Sequence, residues 1–331
     1  MTSRFTVRVI YPLQSGSIVL RTDLDLFAEV WLNRPALPAA PVYEHLPPHA
    51  ALTRAEKLAT LRAAMTRAGA THHFISTLDD LAYLFNLRGQ DVRYNPVFLA
   101  HALIDLEQAT LFVGEDKVPP TLAARLAVDG VHLAPYDGAA AALAALPASA
   151  TLLIDPRRIT LGLRKAVAKG AWVVESVNPT TFAKSMKTAA EISSVRDAME
   201  QDGAALCEFF AWFEDTLNHK PITELTIDEK ITEARARREG FVSQSFSTIA
   251  GFNANGALPH YRATPAAHAV IEGDGMLLID SGGQYLNGTT DITRVVPVNN
   301  ASDAMRRDFT LVLKAMIALS VARFPRGTLS P

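Results

Sequence analysis

Between His73 and Val177 short apolar runs alternate with stretches of helical spacing, and this alternation limits the fold more than any other feature of the chain. The runs are His73 to Ser76, Val97 to Ile104, Ala109 to Val113, Val131 to Ala134, Leu152 to Asp155 and Trp172 to Val177, with a helical pattern near Leu78 to Leu87 and others between later runs. A strand lying parallel to its predecessor needs a crossover long enough to hold a helix. Repeated alternation therefore predicts an α/β domain with a largely parallel or mixed sheet. The alanine run Ala139 to Ala145 reads as a connecting helix, because alanine is the strongest helix former.

The flanks have a different texture. Asn33 to Pro48 holds Pro35, Pro38, Pro41, Pro47 and Pro48, which remove amide donors and block regular interiors, so it reads as a connector. Thr53 and Glu56 then form a capping-box pattern ahead of Leu58, Leu61 and Met65, predicting an amphipathic helix that stops at Gly69. After Asn178-Pro179 a helical pattern of about 30 residues begins, with Ile192, Val195, Met199, Leu206, Phe209, Phe210, Phe213 and Leu217 on one face. Thr226 and Glu229 suggest a further capped helix to about Arg238. Strand signals follow at Phe246 to Ile249, Met276 to Asp280 and Ile292 to Val298, and a last helix is predicted over about Ala304 to Phe324. This divides the chain into a remnant or linker of a preceding domain (1–48), an α/β domain (49–178) and a second domain (179–331).

Composition narrows the function classes. Hydrophobic residues make up 49% of the 331, enough for sizeable cores. A net charge of −2, from 32 basic and 34 acidic residues, favours neither nucleic acid nor an anionic membrane as partner. Cys207 is the single cysteine, so neither an intrachain disulfide nor a cysteine-cluster zinc site can form. The N-terminal stretch is broken at Gln14, Ser15, Gly16 and Ser17, and no run approaches the ~20 apolar residues of a membrane helix. A cytoplasmic location is the expectation.

P-loop, dinucleotide glycine fingerprint, HExxH and nucleophile-elbow patterns are all missing. What remains is a carboxylate pair, Asp280 and Asp291, each beside a strand-like run. Hard divalent cations need oxygen ligands, and a two-metal centre needs carboxylates that can bridge. Taken alone, two such aspartates are also ordinary turn and cap residues. Geometry sets a condition: a two-residue Asn287-Gly288 turn would pair Asp291 with Gln284, leaving Asp280 roughly 13 Å away along its strand, at ~3.3 Å per residue. A shared site requires the connection to centre near Tyr285 and Leu286, or a bulge that shifts the register.

The string Asp280-Ser281-Gly282-Gly283-Gln284-Tyr285-Leu286-Asn287-Gly288-Thr289-Thr290-Asp291-Ile292-Thr293-Arg294 resembles the aminopeptidase P signature. Gly251 to Tyr261, Gly-Phe-Asn-Ala-Asn-Gly-Ala-Leu-Pro-His-Tyr, is similar to the family segment that places a histidine at the substrate. Ser76-Thr77-Leu78-Asp79-Asp80, Asn86-Leu87-Arg88-Gly89, Asn95-Pro96-Val97-Phe98 and Asn178-Pro179 match in order, so the resemblance runs from near Leu20 to Pro331. It implies a creatinase-type N-terminal α/β domain followed by the first half of a pita-bread catalytic domain, an α/β and α+β chain. It also implies a metallopeptidase that removes an N-terminal residue preceding proline. Asp280 and Asp291 carry over as metal ligands of a centre holding two divalent ions, usually manganese, and His260 as a substrate-contacting residue that helps move protons. Read alone, His260 is also explained as a histidine satisfied by backbone. Arg88 reads as a local salt-bridge residue and stays outside the site. The partners implied are a peptide with proline at its second position and a second copy of the chain.

Departures from the family pattern carry expectations of their own. The family's remaining histidine and two glutamate ligands lie beyond a Gly-Thr-Leu motif, here Gly327-Thr328-Leu329, and the sequence stops at Pro331. Only about 20 unmatched residues precede Arg21 to Phe27, where three-domain members carry a further domain. The chain thus reads as an inactive portion of a longer product, with weak metal binding and poor solubility. The alternative reading is a catalytically dead pita-bread module that binds peptides or proteins. Asn287 stands where many members have aspartate, with no direct consequence for the metal.

Overall fold

The computed structural model describes residues 30–325, 327 and 328. The segment Arg21 to Phe27 and the residues Leu329 and Pro331 lie outside the described residues. The chain divides into two compact units, Met1–Ser194 and Val195–Pro331.

In the first unit a six-stranded mixed sheet is built from β2 (His72–Ile75), β4 (Ala100–Asp105), β5 (Ala109–Val113), β6 (Val131–Pro135), β7 (Thr151–Ile154) and β8 (Trp172–Glu175), in the order β6-β5-β4-β2-β7-β8. The pairs β5/β6, β2/β7 and β7/β8 are parallel, whereas β2/β4 and β4/β5 are antiparallel. Alternate side chains enter two separate cores. Ile75 and Leu153 join Leu58, Leu61 and Met65, while Phe74, Leu152 and Ile154 join Leu143 and Ile159. Burial on both faces is why the inner strands β2, β5 and β7 read as apolar runs, whereas β6 and β8 at the sheet edges are more exposed. Helix α1 (Arg54–Arg67) begins with the predicted capping box, Thr53 and Glu56 each satisfying the other's backbone amide.

The proline-rich stretch packs into this unit. Val42 is buried in its core, and β1 (Tyr43–Glu44) pairs with β3 (Leu87–Arg88). Prolines spoil long strands but leave a two-residue pairing open. Glu44 also receives Arg54 and Arg125. Arg88 donates to the carbonyls of Ala82 and Leu87 rather than to a carboxylate, unlike the expected salt bridge.

The second unit begins within helix α2 (Ala189–Thr216), packs it with α3 (Glu224–Ala236), and sets both against the antiparallel sheet β10 (Ile249–Phe252), β11 (Gly275–Ser281) and β14 (Ile292–Val298). A smaller sheet joins β9 (Phe241–Gln244), β12 (Gly283–Tyr285) and β13 (Gly288–Thr289). The buried line of α2 is Ala198, Asp202, Ala205, Leu206, Phe209 and Phe213. Leu206, Phe209 and Phe213 are buried as the apolar spacing predicts, whereas Ile192, Val195 and Met199, expected on the same face, are exposed. Helix α3 starts three residues earlier than predicted, because Thr223 and Thr226, not Thr226 and Glu229, make the capping box. The last helix, α4 (Asp303–Ser320), exposes Phe309, Val312, Met316 and Leu319 and buries none of its residues.

Candidate metal centre

The hairpin that carries both aspartates keeps one register throughout. Asp280 pairs with Thr293, Ser281 with Ile292, Gln284 with Thr289 and Tyr285 with Gly288, so the two-residue turn is Leu286-Asn287. This is one position from the Tyr285-Leu286 centre that would place the aspartates face to face. It makes Asp291 the diagonal neighbour of Asp280 on the same face, since side chains two apart on a strand point the same way. The Asp291 carboxyl lies within hydrogen-bonding reach of Asp280. The turn falls one position from the required centre, and the two aspartates are diagonal neighbours across the hairpin rather than separated along one strand.

Electrostatics register this proximity. Burial, then the charge of Asp280, then the hydrogen bond between the two carboxyls push Asp291 above the usual aspartate value of 3.8. Two adjacent carboxylates that disfavour joint ionisation are what a hard divalent cation relieves. Thr293 orients Asp280 by donating to its Oδ1 at 2.9 Å. The donor chemistry thus fits a divalent ion at these two side chains. Among the described residues no group of three or more His, Cys, Asp or Glu side chains gathers around a common point.

Between the two aspartates the ladder is interrupted at Gly282. A Cβ there would lie 2.0 Å from the Thr290 carbonyl oxygen and 2.3 Å from Ser245 Oγ, so only glycine fits. The same atoms bond around it: Ser245 N donates to Gly282 O at 3.0 Å, and Ser245 Oγ to Thr290 O at 2.9 Å. Behind the hairpin lies a fully buried ion pair, Asp202 on α2 and Arg235 on α3, joined at 2.6 and 3.0 Å. Asp202 also accepts from Tyr285 Oη at 2.8 Å and Thr290 Oγ1 at 2.9 Å. Burial, together with the bond to Asp202, raises the Tyr285 hydroxyl pKa.

His260 follows the 3-10 turn Asn253–Ala257, in a left-handed backbone (φ 56°), and is exposed. No hydrogen bond joins it to Asp280 or Asp291 among the described residues. What holds its loop is Glu224, a buried residue of the first turn of α3. Its carboxylate accepts from Phe252 N and Ala269 N at 2.8 Å, Tyr261 Oη at 2.7 Å and Asn255 Nδ2 at 3.0 Å. Burial alone would raise the Glu224 carboxyl, but these donors outweigh it and bring its pKa below the ordinary 4.5. A depressed carboxyl contributes stability that is complete above the unfolded value and lost as pH falls through the folded one. Glu224→Gln is therefore expected to loosen the loop by about 1.5–3 kcal/mol at neutral pH, the range for hydrogen bonds to charged groups. Amide exchange at Phe252 and Ala269 checks this, and in the variant its acid dependence below pH 4.5 should disappear.

Sequence reasoning did not find Glu224, Asp202, Arg235 or Gly282. Asp202 had a signal, because it falls in phase with Ala205, Phe209 and Phe213 on the buried face.

Comparisons with known proteins agree with this architecture. Residues 33–191 match the Creatinase/Prolidase N-terminal domain, and residues 193–330 match Metallopeptidase family M24. The chain therefore belongs to the creatinase-type, pita-bread proteins, a creatinase N-terminal domain followed by an M24 domain. Within that class it is a homologue of Xaa-Pro aminopeptidase P: the probable enzyme of Aspergillus niger is 36% identical over 326 residues, covering 95% of this chain and 53% of that protein. The chain spans about half the length of the curated relatives it matches. The X-prolyl aminopeptidase of Caenorhabditis elegans, described as a cytosolic enzyme with a di-nuclear active site, superposes with a TM-score of 0.88. It is 27% identical and covers 98% of this chain and 55% of its own. The N-terminal domain of the FACT complex subunit SPT16 from chickpea shares the fold alone, with TM-score 0.60 and 13% identity over 81% of this chain and 71% of that one. No helix among the described residues is long and apolar enough to cross a membrane.

Proposed function

We propose that this chain contributes to a metal-dependent aminopeptidase that hydrolyses the bond between an N-terminal residue and proline. The observation carrying this reading is the pair Asp280 and Asp291, brought into hydrogen-bonding reach on one sheet face in a homologue of Xaa-Pro aminopeptidase P. These two carboxylates would hold divalent ions, manganese by preference, and such ions supply an activated water and polarise the scissile carbonyl. Asp280 is held by Thr293, so one of the proposed oxygen donors is oriented before any ion arrives. His260, on the loop fixed by Glu224, is proposed to contact the substrate and carry a proton. Proline at the second position suits such a site because its tertiary amide has no N–H and its ring restricts the residue before it. The active form is proposed to be a cytoplasmic homodimer.

The test is manganese-dependent release of arginine from Arg-Pro-Pro, measured on this chain and on any longer product of its reading frame. Release that needs manganese and vanishes in Asp280→Ala is expected. Manganese-independent release, or none in either form, would overturn the assignment.

A further inference from the structure

We propose that the buried Asp202–Arg235 pair acts through Thr290 as the positioning device for Asp291, setting the separation of the two metal-facing carboxylates; this rests on the metallopeptidase reading above. Asp202 is fully buried, yet its two oxygens receive four donors: Nε and Nη2 of Arg235, the Tyr285 hydroxyl and the Thr290 hydroxyl. Tyr285 and Thr290 flank the hairpin turn, and Thr290 is bonded to the residue that becomes the proposed ligand. Oγ1 of Thr290 serves in two directions, donating to Asp202 and accepting from Gly283 N at 2.9 Å. The backbone amide of Thr290 closes the same ring by donating to Gly283 O at 2.9 Å. Two donor–acceptor bonds and one buried anchor thus pin both strands where the ladder breaks at Gly282. Gly288 is seated directly on Ala198 of the same helix, where an added Cβ would be 3.0 Å from the alanine side chain.

An apolar contact would hold the hairpin against α2 equally well, and replacing a buried ion pair by apolar residues is frequently neutral for stability. What an apolar contact lacks is direction. Asp202 accepts from Thr290 only when the Thr290 hydroxyl points inward, which fixes the backbone one residue before Asp291. The device acts through Thr290 and does not touch an ion, so Asp202, Arg235 and Thr290 are positioning residues.

Two substitutions separate this role from mere support. Thr290→Val removes the hydroxyl in an isosteric side chain, and Tyr285→Phe removes one donor from the same carboxylate without touching the Gly283–Thr290 ring. Manganese binding, followed by the electron paramagnetic resonance of free Mn2+, is expected to weaken about 10-fold or more in Thr290→Val, the range seen when groups behind a metal ligand are lost. Thr290→Ser should restore it, and Tyr285→Phe should stay within about 2-fold of the parent despite a comparable loss of stability. Equal weakening in Thr290→Val and Tyr285→Phe would overturn the proposal. Amide exchange at Gly283 and Asp291 in metal-free protein supplies an independent reading: faster exchange in Thr290→Val alone supports positioning, and unchanged exchange overturns it. Should parent and Asp280→Ala bind Mn2+ equally, the metal reading fails, and the exchange result still decides whether Asp202 positions Asp291.

Discussion

Arg235→Ala is expected to be among the most damaging single substitutions in the second unit, costing about 3–5 kcal/mol, because it strands a buried carboxylate. Asp202 is wholly shielded from water and would keep only the Tyr285 and Thr290 hydroxyls as donors. Two neutral hydroxyls cannot replace a guanidinium that bonds both oxygens at 2.6 and 3.0 Å. The asymmetry is itself testable. Removing both charges together, as Asp202→Leu with Arg235→Leu, leaves no uncompensated ion and should cost less than Arg235→Ala alone. Urea unfolding of the three proteins gives the comparison, and a double variant less stable than the single one would show that the pair contributes net stability. The wild type already carries a cost that Arg235→Ala removes, since Nη1 of Arg235 is buried with no hydrogen-bond partner among the described residues.

How much of this was legible in the sequence depends on the length scale of the interaction involved. The first unit was readable because β2, β5 and β7 are buried on both faces, so these strands announce themselves as apolar runs whatever their neighbours are. The division of each strand between two cores, with Phe74 facing one and Ile75 the other, could not be read from runs that are apolar throughout. Register was readable only as a condition. The turn sits at Leu286-Asn287 in a register that runs unchanged past Gly282, and the close approach of Thr290 and Ser245 that reserves that position for glycine is encoded by no local pattern. Helix α3 illustrates a competing signal. Thr226 and Glu229 fit the capping-box pattern, but Thr223 precedes them and caps first, which moves Glu224 into the first turn and makes it the anchor of the His260 loop. The ion pair was missed for a related reason: a charged residue on an apolar face reads as a gap in the hydrophobic line when its partner is 33 positions away.

The second large effect concerns the aspartates themselves. On the function proposed above, Asp280→Ala and Asp291→Ala are each expected to lower kcat/KM for an Xaa-Pro peptide by roughly 10³-fold or more in an active product of this reading frame, since a metal contributes several kcal/mol to the transition state and each 1.36 kcal/mol is tenfold. A change that merely unfolds the second unit would do the same, so the decisive readout is the effect of manganese on unfolding. Asp291 has a raised folded-state value, so the sign is opposite to that of Glu224. Above that value the Asp291 carboxyl carries its charge beside Asp280, a burden on the metal-free fold that disappears as pH falls through it. Manganese should therefore raise the unfolding temperature at neutral pH by relieving this repulsion and binding the native state alone. The increment should shrink as protons compete for Asp291. In Asp291→Asn the repulsion and the ligand charge are both gone, so the metal-free protein should be as stable as the parent or more so, while manganese adds nothing. An undiminished manganese increment in Asp291→Asn would remove Asp291 from the centre, whatever the peptidase assay gave.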